Sequence, residues 1–344
     1  MPLPKAQLKL TQLIKDVRSK EYKYTPKEEN PIDWSSYDEA QLNEMNDYLI
    51  LVREIIDEIQ NEIGDIDQGN VGKPPKSCFG KAKAIMVQQY FECSNRIAAG
   101  LVKLFKEKLN IREDLNYKSI ETAYDDACVV LVLKLLFEKT NEPVEALETQ
   151  FSGDGAGLTT SIKQNYASDR NDDKVQLYDK MIGIVGMKFK LLSAVEITEG
   201  TANETPFIVP LLEETSKMHK IDLFSYDAAG YSYDVINFVS LGAVPRIFPD
   251  KDAVLKAYGC MAKKRMLLDF INYAKWLEEY HTRSISETRN SADKRVFTRP
   301  LLKRLDCRRH VEGYARACRY NVRQLVYVHY LHKIPVRWIK NRAM

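Results

Sequence analysis

Tyr280, Arg283, Glu287 and Lys294 stand 3, 4 and 7 residues apart within the stretch YHTRSISETRNSADK. At about 100° per residue on a helix, the four fall within roughly 60° of one another. One narrow line therefore carries a carboxylate able to ligate a cation and two cations able to neutralise phosphates. It also carries a phenol able to hydrogen-bond a phosphate or stack on a base. A solvated face with i,i+4 ion pairs such as Arg283–Glu287 has the same pattern and contributes little. The stripe alone does not decide between the two readings.

Two aspartates sharpen the question. Asp154 in FSGDGAGL and Asp227 in IDLFSYDAAGY fall at the ends of predicted strands, each followed by Gly or Ala. A carboxylate at the end of a buried strand projects from a rigid support at the sheet edge, where α/β folds place their chemistry. Two carboxylates brought together repel, and a divalent cation removes the conflict. Oxygen-only ligands favour Mg²⁺ or Mn²⁺ over zinc. Glu287 is the natural third ligand, completing a site for two ions about 3.5–4 Å apart. One ion would activate a water or a 3′-hydroxyl, and the other would stabilise the leaving oxygen. The glycines of GDGAGL lack the third glycine of a dinucleotide fingerprint and the Lys-Ser/Thr of a P-loop, so a nucleotide loop is not favoured.

These residues need a scaffold, and the order of elements supplies one. From about residue 148 the patterning gives three strands, then helix, strand, helix, strand, and a long helical region over about 252–296. A meander followed by parallel crossovers is the order of an RNase H-like α/β domain, a mixed sheet flanked by helices, spanning 148–344 with basic C-terminal helices. Before it lies an all-α region at 35–140, and residues 1–34 read as loosely ordered. Ser36 and Glu39 have capping-box spacing. Leu42, Met45, Leu49, Val52, Ile56, Ile59 and Ile63 then recur as a heptad-type seam. That seam packs either within the chain or on a second copy. GNVGKPPKS at 69–77 reads as a linker. Residues 80–107 read as two helices broken near Cys93–Ser94, with Ser94 capping the second and Arg96 and Lys103 along it. This suits a helix-turn-helix that enters the major groove, or an ordinary helical hairpin.

Composition narrows the class. The chain has 344 residues and is 44% hydrophobic, enough to bury a sizeable core. A net charge of +3 hides an asymmetry: residues 251–344 hold 22 Lys+Arg against 8 Asp+Glu, a net +14. The C-terminal quarter therefore suits a polyanion. Six cysteines without a CxxC pair read as reduced thiols of an intracellular protein. The start MPLPKAQLKL is no signal peptide, and the longest apolar run, ACVVLVLKLLF, is too short to cross a membrane. The expectation is a soluble, cytoplasmic, nucleoid-associated protein.

Asp154, Asp227 and the stripe Tyr280-x2-Arg283-x3-Glu287-x6-Lys294 resemble the DDE transposases of prokaryotic insertion sequences, in the group with a Y-R-E-K signature. The resemblance covers roughly 150–330. It implies that Asp154, Asp227 and Glu287 bind two Mg²⁺ or Mn²⁺ ions, and that Tyr280, Arg283 and Lys294 hold the DNA end. The basic C-terminal helices would extend the phosphate track through Arg308, Arg309, Arg316, Arg319 and Arg323. The implied activity is binding of terminal inverted repeats, cleavage, and joining of 3′-hydroxyls to target DNA, by a homodimer in the DNA complex with the heptad seam as one interface. Two positions depart from the family pattern. Tyr231 follows Asp227 by four residues rather than three, and Asp154 is followed by glycine where a hydroxyl residue is common. A metal-dependent nuclease or resolvase of the same fold, and a catalytically idle DNA-binding derivative, are the competing readings.

Overall fold

The computed structural model describes residues 3–19, 33–64, 76–161, 177–256, 259–280 and 298–339. Glu287, Arg283 and Lys294 lie outside the described residues.

The sheet has five strands: β1 Gln150–Thr159, β2 Tyr178–Gly186, β3 Leu192–Glu199, β4 Leu223–Tyr226 and β5 Val244–Ile247, in spatial order β3-β2-β1-β4-β5. β1, β2 and β3 form an antiparallel meander, and β4 and β5 run parallel to β1. The crossovers are α7 (Thr205–Met218) and α8 (Tyr233–Ser240). The mixed sheet, a meander followed by parallel crossovers, is the one expected from the order of elements in the sequence. The long helical region expected at 252–296 is, where described, two helices, α9 (Met261–Ile271) and α10 (Tyr273–Tyr280).

Alternate residues of each strand face opposite layers. Phe151, Ile182, Ile184, Ala194, Phe224 and Tyr226 face α7, α8, α9 and α10. That layer also takes in α1 (Leu3–Arg18), whose Ala6, Leu10 and Ile14 recur every turn and are buried. The loose order expected at the N-terminus is therefore corrected for residues 3–18: the apolar stripe has α9 to lie against.

The other face carries Ala156, Met181, Val185, Leu192, Val195 and Ile197, which share one core with the helical region. That region comprises α2 (Trp34–Ile63), α3 (Cys78–Tyr90), α4 (Asn95–Leu104), α5 (Tyr117–Ala123) and α6 (Ala127–Lys139). The bridge between the two is α11 (Asp306–Leu331), which contacts α2, α3, α6 and β3. Asn321 on α11 is fully buried. It accepts from Leu192 N at 2.9 Å and donates to Leu192 O at 2.8 Å and to Thr140 Oγ1 at 3.0 Å. The helical region thus packs as a layer around the C-terminal helix α11.

The heptad seam resolves within the chain. Leu49, Val52, Ile56 and Ile59 are buried, whereas Leu42 and Met45 at one end and Ile63 at the other are exposed. The α2 cap is Asp33, which accepts from Ser36 N, and not Ser36 itself. Cys78 and Cys128 are joined as a disulfide with Cα atoms 5.9 Å apart, because the starts of α3 and α6 abut there beside the Lys81–Asp126 ion pair at 2.7 Å. The expectation of six reduced thiols is corrected at that pair. Cys93, Cys260, Cys307 and Cys318 are free. No described helix is long and apolar enough to cross a membrane.

Candidate metal and nucleic-acid site

Asp154 lies on β1, and Asp227 directly follows its neighbouring parallel strand β4. β1 and β4 are in parallel register at Gln150–Leu223, Phe151–Phe224 and Ser152–Ser225. Two further steps along that register put Asp154 level with Asp227. Level residues on neighbouring strands share a face and stand about 4.8 Å apart across the sheet. Asp154 lies in the middle of β1, paired with Gly183 of β2, and not at a strand end as expected from the sequence. It does lie where β4 stops: Tyr226 is the last residue of β4 and Asp227 follows it. Both aspartates are half-buried. Asp227 caps the single 3-10 turn Ala228–Gly230, its Oδ1 accepting from Ala229 N at 2.8 Å. The buried Tyr226 lies on the opposite face of the sheet from Asp154. Burial raises the pKa of Tyr226 far above the ordinary phenol value, and the charges of Glu204, Asp227 and Asp154 push it further.

The donor set here is oxygen-only and half-open to solvent, one carboxylate on β1 and one just after β4, which fits a hard divalent cation. The third expected ligand, Glu287, falls outside the described residues. Among the described residues no three His, Cys, Asp or Glu side chains converge to hold a metal.

Two residues missed in the sequence support the site from behind. Gly153 and Gly155 flank Asp154 and face the opposite side of β1. A Cβ on Gly153 would come within 2.3 Å of the Tyr226 ring, and one on Gly155 within 2.2 Å of Glu204 Oε1. Tyr226 Oη donates to Glu204 Oε2 at 2.7 Å. The readable signal was the alternate-glycine spacing, which in a strand marks close approach of another group.

Tyr280 closes α10. Its ring stacks on Trp276 at 4.4 Å between centroids and lies 6.0 Å from Phe248. The helix carrying the start of the polar stripe is thus anchored by aromatic packing beside β5.

α3 and α4 are joined by the four residues 91–94, of which Glu92 has φ +44°. Ser94 caps α4 as expected, accepting from Ile97 N. α4 buries only Ala98 and Val102. Its outer face presents Arg96, Ile97, Gly100, Lys103 and Leu104, with the Arg96 guanidinium 4.8 Å over the Tyr117 ring. A helix of this kind, exposed along one face and basic, can lie against a polyanion. The turn before it is tied to residues 298–299, whose backbone N–H groups both donate to the Glu92 carboxylate at 3.2 Å.

The α11 arginines do not form an open phosphate track. Arg309 donates to Asp179 through Nε at 2.7 Å and Nη2 at 3.2 Å, with side chains 8% and 3% exposed. Arg308 binds Asp125 and Glu121. Arg316 donates to the carbonyls of Arg299 and Pro300. Arg319 is 1% exposed, with Nη1 3.9 Å from Glu92. Arg323 pairs with Glu44 at 2.8 Å. α11 runs through the centre of the molecule, so its cations meet carboxylates and carbonyls of the surrounding elements. The expectation that they contact DNA therefore competes with these intramolecular partners.

No family model matches the chain. A probable transposase for insertion sequence element ISA1214 from Archaeoglobus fulgidus is 24% identical over 258 residues, covering 74% of this chain and 77% of that protein. The crystal structure of a pre-cleavage Mos1 transpososome matches 70% of this chain and 84% of its own at 12% identity, with a TM-score of 0.20, a likeness too slight to carry an argument. Over most of its length, then, this chain is similar to a probable insertion-sequence transposase.

Proposed function

We propose that the chain is a transposase of the DDE type, with an RNase H-like catalytic domain, acting on the ends of its own insertion sequence. What most supports the reading is that Asp154 lies on β1 and Asp227 directly follows the neighbouring parallel strand β4, each two residues past the last paired residues of the two strands. The strand order β3-β2-β1-β4-β5 and the similarity to the Archaeoglobus fulgidus protein support it.

In this reading Asp154, Asp227 and Glu287 hold Mg²⁺ or Mn²⁺, two ions in all. When bound, such ions supply Lewis acidity at the scissile phosphate and a deprotonated oxygen nucleophile. The chain's own residues do the positioning. β1 carries Asp154 in mid-strand, the end of β4 leads into Asp227, and α10 carries Tyr280 as its last residue. Tyr280, Arg283 and Lys294 grip the terminal phosphates. α4 recognises the terminal repeat, with Arg96 and Lys103 neutralising backbone charge. Water cleaves one phosphodiester to leave a 3′-hydroxyl. That hydroxyl then displaces the leaving oxygen of a target phosphodiester in line. The partners are double-stranded element ends and target DNA, in the nucleoid of the cytoplasm. A homodimer would need an interface other than the middle of the α2 seam, which the chain buries within itself.

The test is nicking and joining of a plasmid carrying the gene's native flanks, with Mg²⁺ or Mn²⁺. Cleavage with joined products supports the transposase. Cleavage without joining points to a nuclease of the same fold. Binding of the flanks without cleavage by folded protein leaves only the idle DNA-binding derivative.

A further inference from the structure

We propose that Tyr226, Glu204 and Lys180 form a clamp that positions Asp154 and Asp227, so that these three are positioning residues for the metal site. The inference rests on the reading of those aspartates as metal ligands.

Three strands and the start of a helix meet at one carboxylate. Glu204 immediately precedes α7. Its Oε2 accepts the Tyr226 hydroxyl of β4 at 2.7 Å, and its Oε1 lies 3.3 Å from Lys180 Nζ of β2. Lys180 Nζ also donates to Ala202 O at 2.9 Å, closing the group onto the segment before α7. β1 joins through its glycines: the Tyr226 ring occupies the space of a Gly153 Cβ, and the Glu204 carboxylate that of a Gly155 Cβ. Both groups therefore press on the β1 backbone on either side of Asp154. Next along, Thr205 Oγ1 donates to Ala229 O at 2.9 Å, holding the turn that Asp227 caps. The clamp includes the residue before Asp227 and fills the space beside the glycines on both sides of Asp154, and Thr205 next to Glu204 holds the turn after Asp227.

An ordinary ion pair would not explain this placement. The same sheet face is otherwise covered by Phe151, Ile182, Ile184 and Phe224. A half-buried Lys–Glu pair among them carries a desolvation cost that apolar side chains would not. What it supplies is a fixed offset between β1 and β4. Mg²⁺ in particular demands near-ideal octahedral ligand geometry. Slippage of the two strands moves one carboxylate against the other by the same distance.

The experiment measures Mn²⁺ binding to the full chain by electron paramagnetic resonance, with thermal melting and flank-DNA binding alongside. The proteins are wild type, Asp227→Asn, Tyr226→Phe, Glu204→Ala and Glu204→Gln. Wild type should bind Mn²⁺ and Asp227→Asn should not. Tyr226→Phe and Glu204→Ala should bind it about tenfold more weakly while still folding and binding DNA, the range for residues that orient ligands from behind. Glu204→Gln keeps an acceptor for the Tyr226 hydroxyl and should recover most of the affinity. Unchanged Mn²⁺ affinity in Tyr226→Phe and Glu204→Ala, whatever their melting temperatures, would overturn the clamp alone. Absence of Mn²⁺ binding in wild type would overturn the metal reading itself, a separate and visible failure. Should Tyr226→Phe not fold, the contrast between Glu204→Ala and Glu204→Gln decides.

Discussion

Replacing Arg309 with methionine separates a structural arginine from a phosphate-binding one. Asp179 on β2 is 3% exposed, and Arg309 is the cation that satisfies both its oxygens, at 2.7 and 3.2 Å. The other partners of Arg309 are the Arg304 carbonyl at 3.1 Å and Asp306, whose side chain is 80% exposed and adds little. Removing one member of such a buried pair costs about 3–5 kcal/mol, since the other is left charged and unpaired or must take up a proton. Against a net stability of about 5–15 kcal/mol, that is a large fraction. The double substitution Arg309→Met with Asp179→Leu removes both charges and should recover most of the loss. Equilibrium urea denaturation followed by circular dichroism reads the stability. DNA affinity against salt, below the unfolding range, reads the phosphate contact. The expectation is a lower urea midpoint for Arg309→Met, near recovery in the double variant, and an unchanged salt slope. A phosphate contact would instead lower the slope by about 0.9. Unchanged stability with that lower slope would refute the account of α11.

Further outcomes follow from the same contacts. Arg96→Ala and Lys103→Ala should each lower the salt slope of flank-DNA binding by about 0.9 and leave the melting temperature alone, because both side chains are exposed on α4; unchanged slopes would remove α4 from the interface. Gly153→Ala should lower stability by about 1–3 kcal/mol in urea titration, since its Cβ would overlap the buried Tyr226 ring. The pH dependence of stability should include Glu44. Burial raises its pKa, but the hydrogen bond and charge of Arg323, with Tyr327 and Tyr90 as further donors, outweigh that and leave it lowered. A lowered folded pKa means its stabilisation is fully present above the unfolded value of about 4.3 and is lost as pH falls through the folded one. Denaturation across pH 2 to 6, an order-of-magnitude window around those values, should show a shallower acid-side loss in Glu44→Gln than in wild type. Parallel profiles would count against it.

How far the sequence speaks depends on the range of the interaction. Strand and helix order was legible because period-2 and period-3.6 patterns are local, and so was the Ser94 cap. The neighbouring places of Asp154 and Asp227 in the fold were hinted at by the small residues that follow each. Their exact setting was not: β1 runs on through its glycines, so Asp154 lies in mid-strand while Asp227 follows the end of β4. The fate of the α11 arginines could not be read at all. Net charge counts cations without saying which carboxylates fold against them, and Asp179, Asp125 and Glu44 lie more than a hundred residues away in sequence. The same holds for α1, whose short apolar stripe needs α9, and for Asn321, whose partners are on β3 and beside α6. Glu204 carried no signal of its own beyond the glycines that make room for it.

The central claim is that Asp154 and Asp227 form one metal site that acts on DNA. Its most direct test is cleavage of a labelled flank duplex in a Mg²⁺ or Mn²⁺ titration, comparing wild type with Asp154→Asn, Asp227→Asn and Glu287→Gln. The account predicts metal-dependent cleavage by wild type and its loss in each variant, with folding and flank binding retained. Metal-dependent cleavage that survives Asp154→Asn or Asp227→Asn would contradict it.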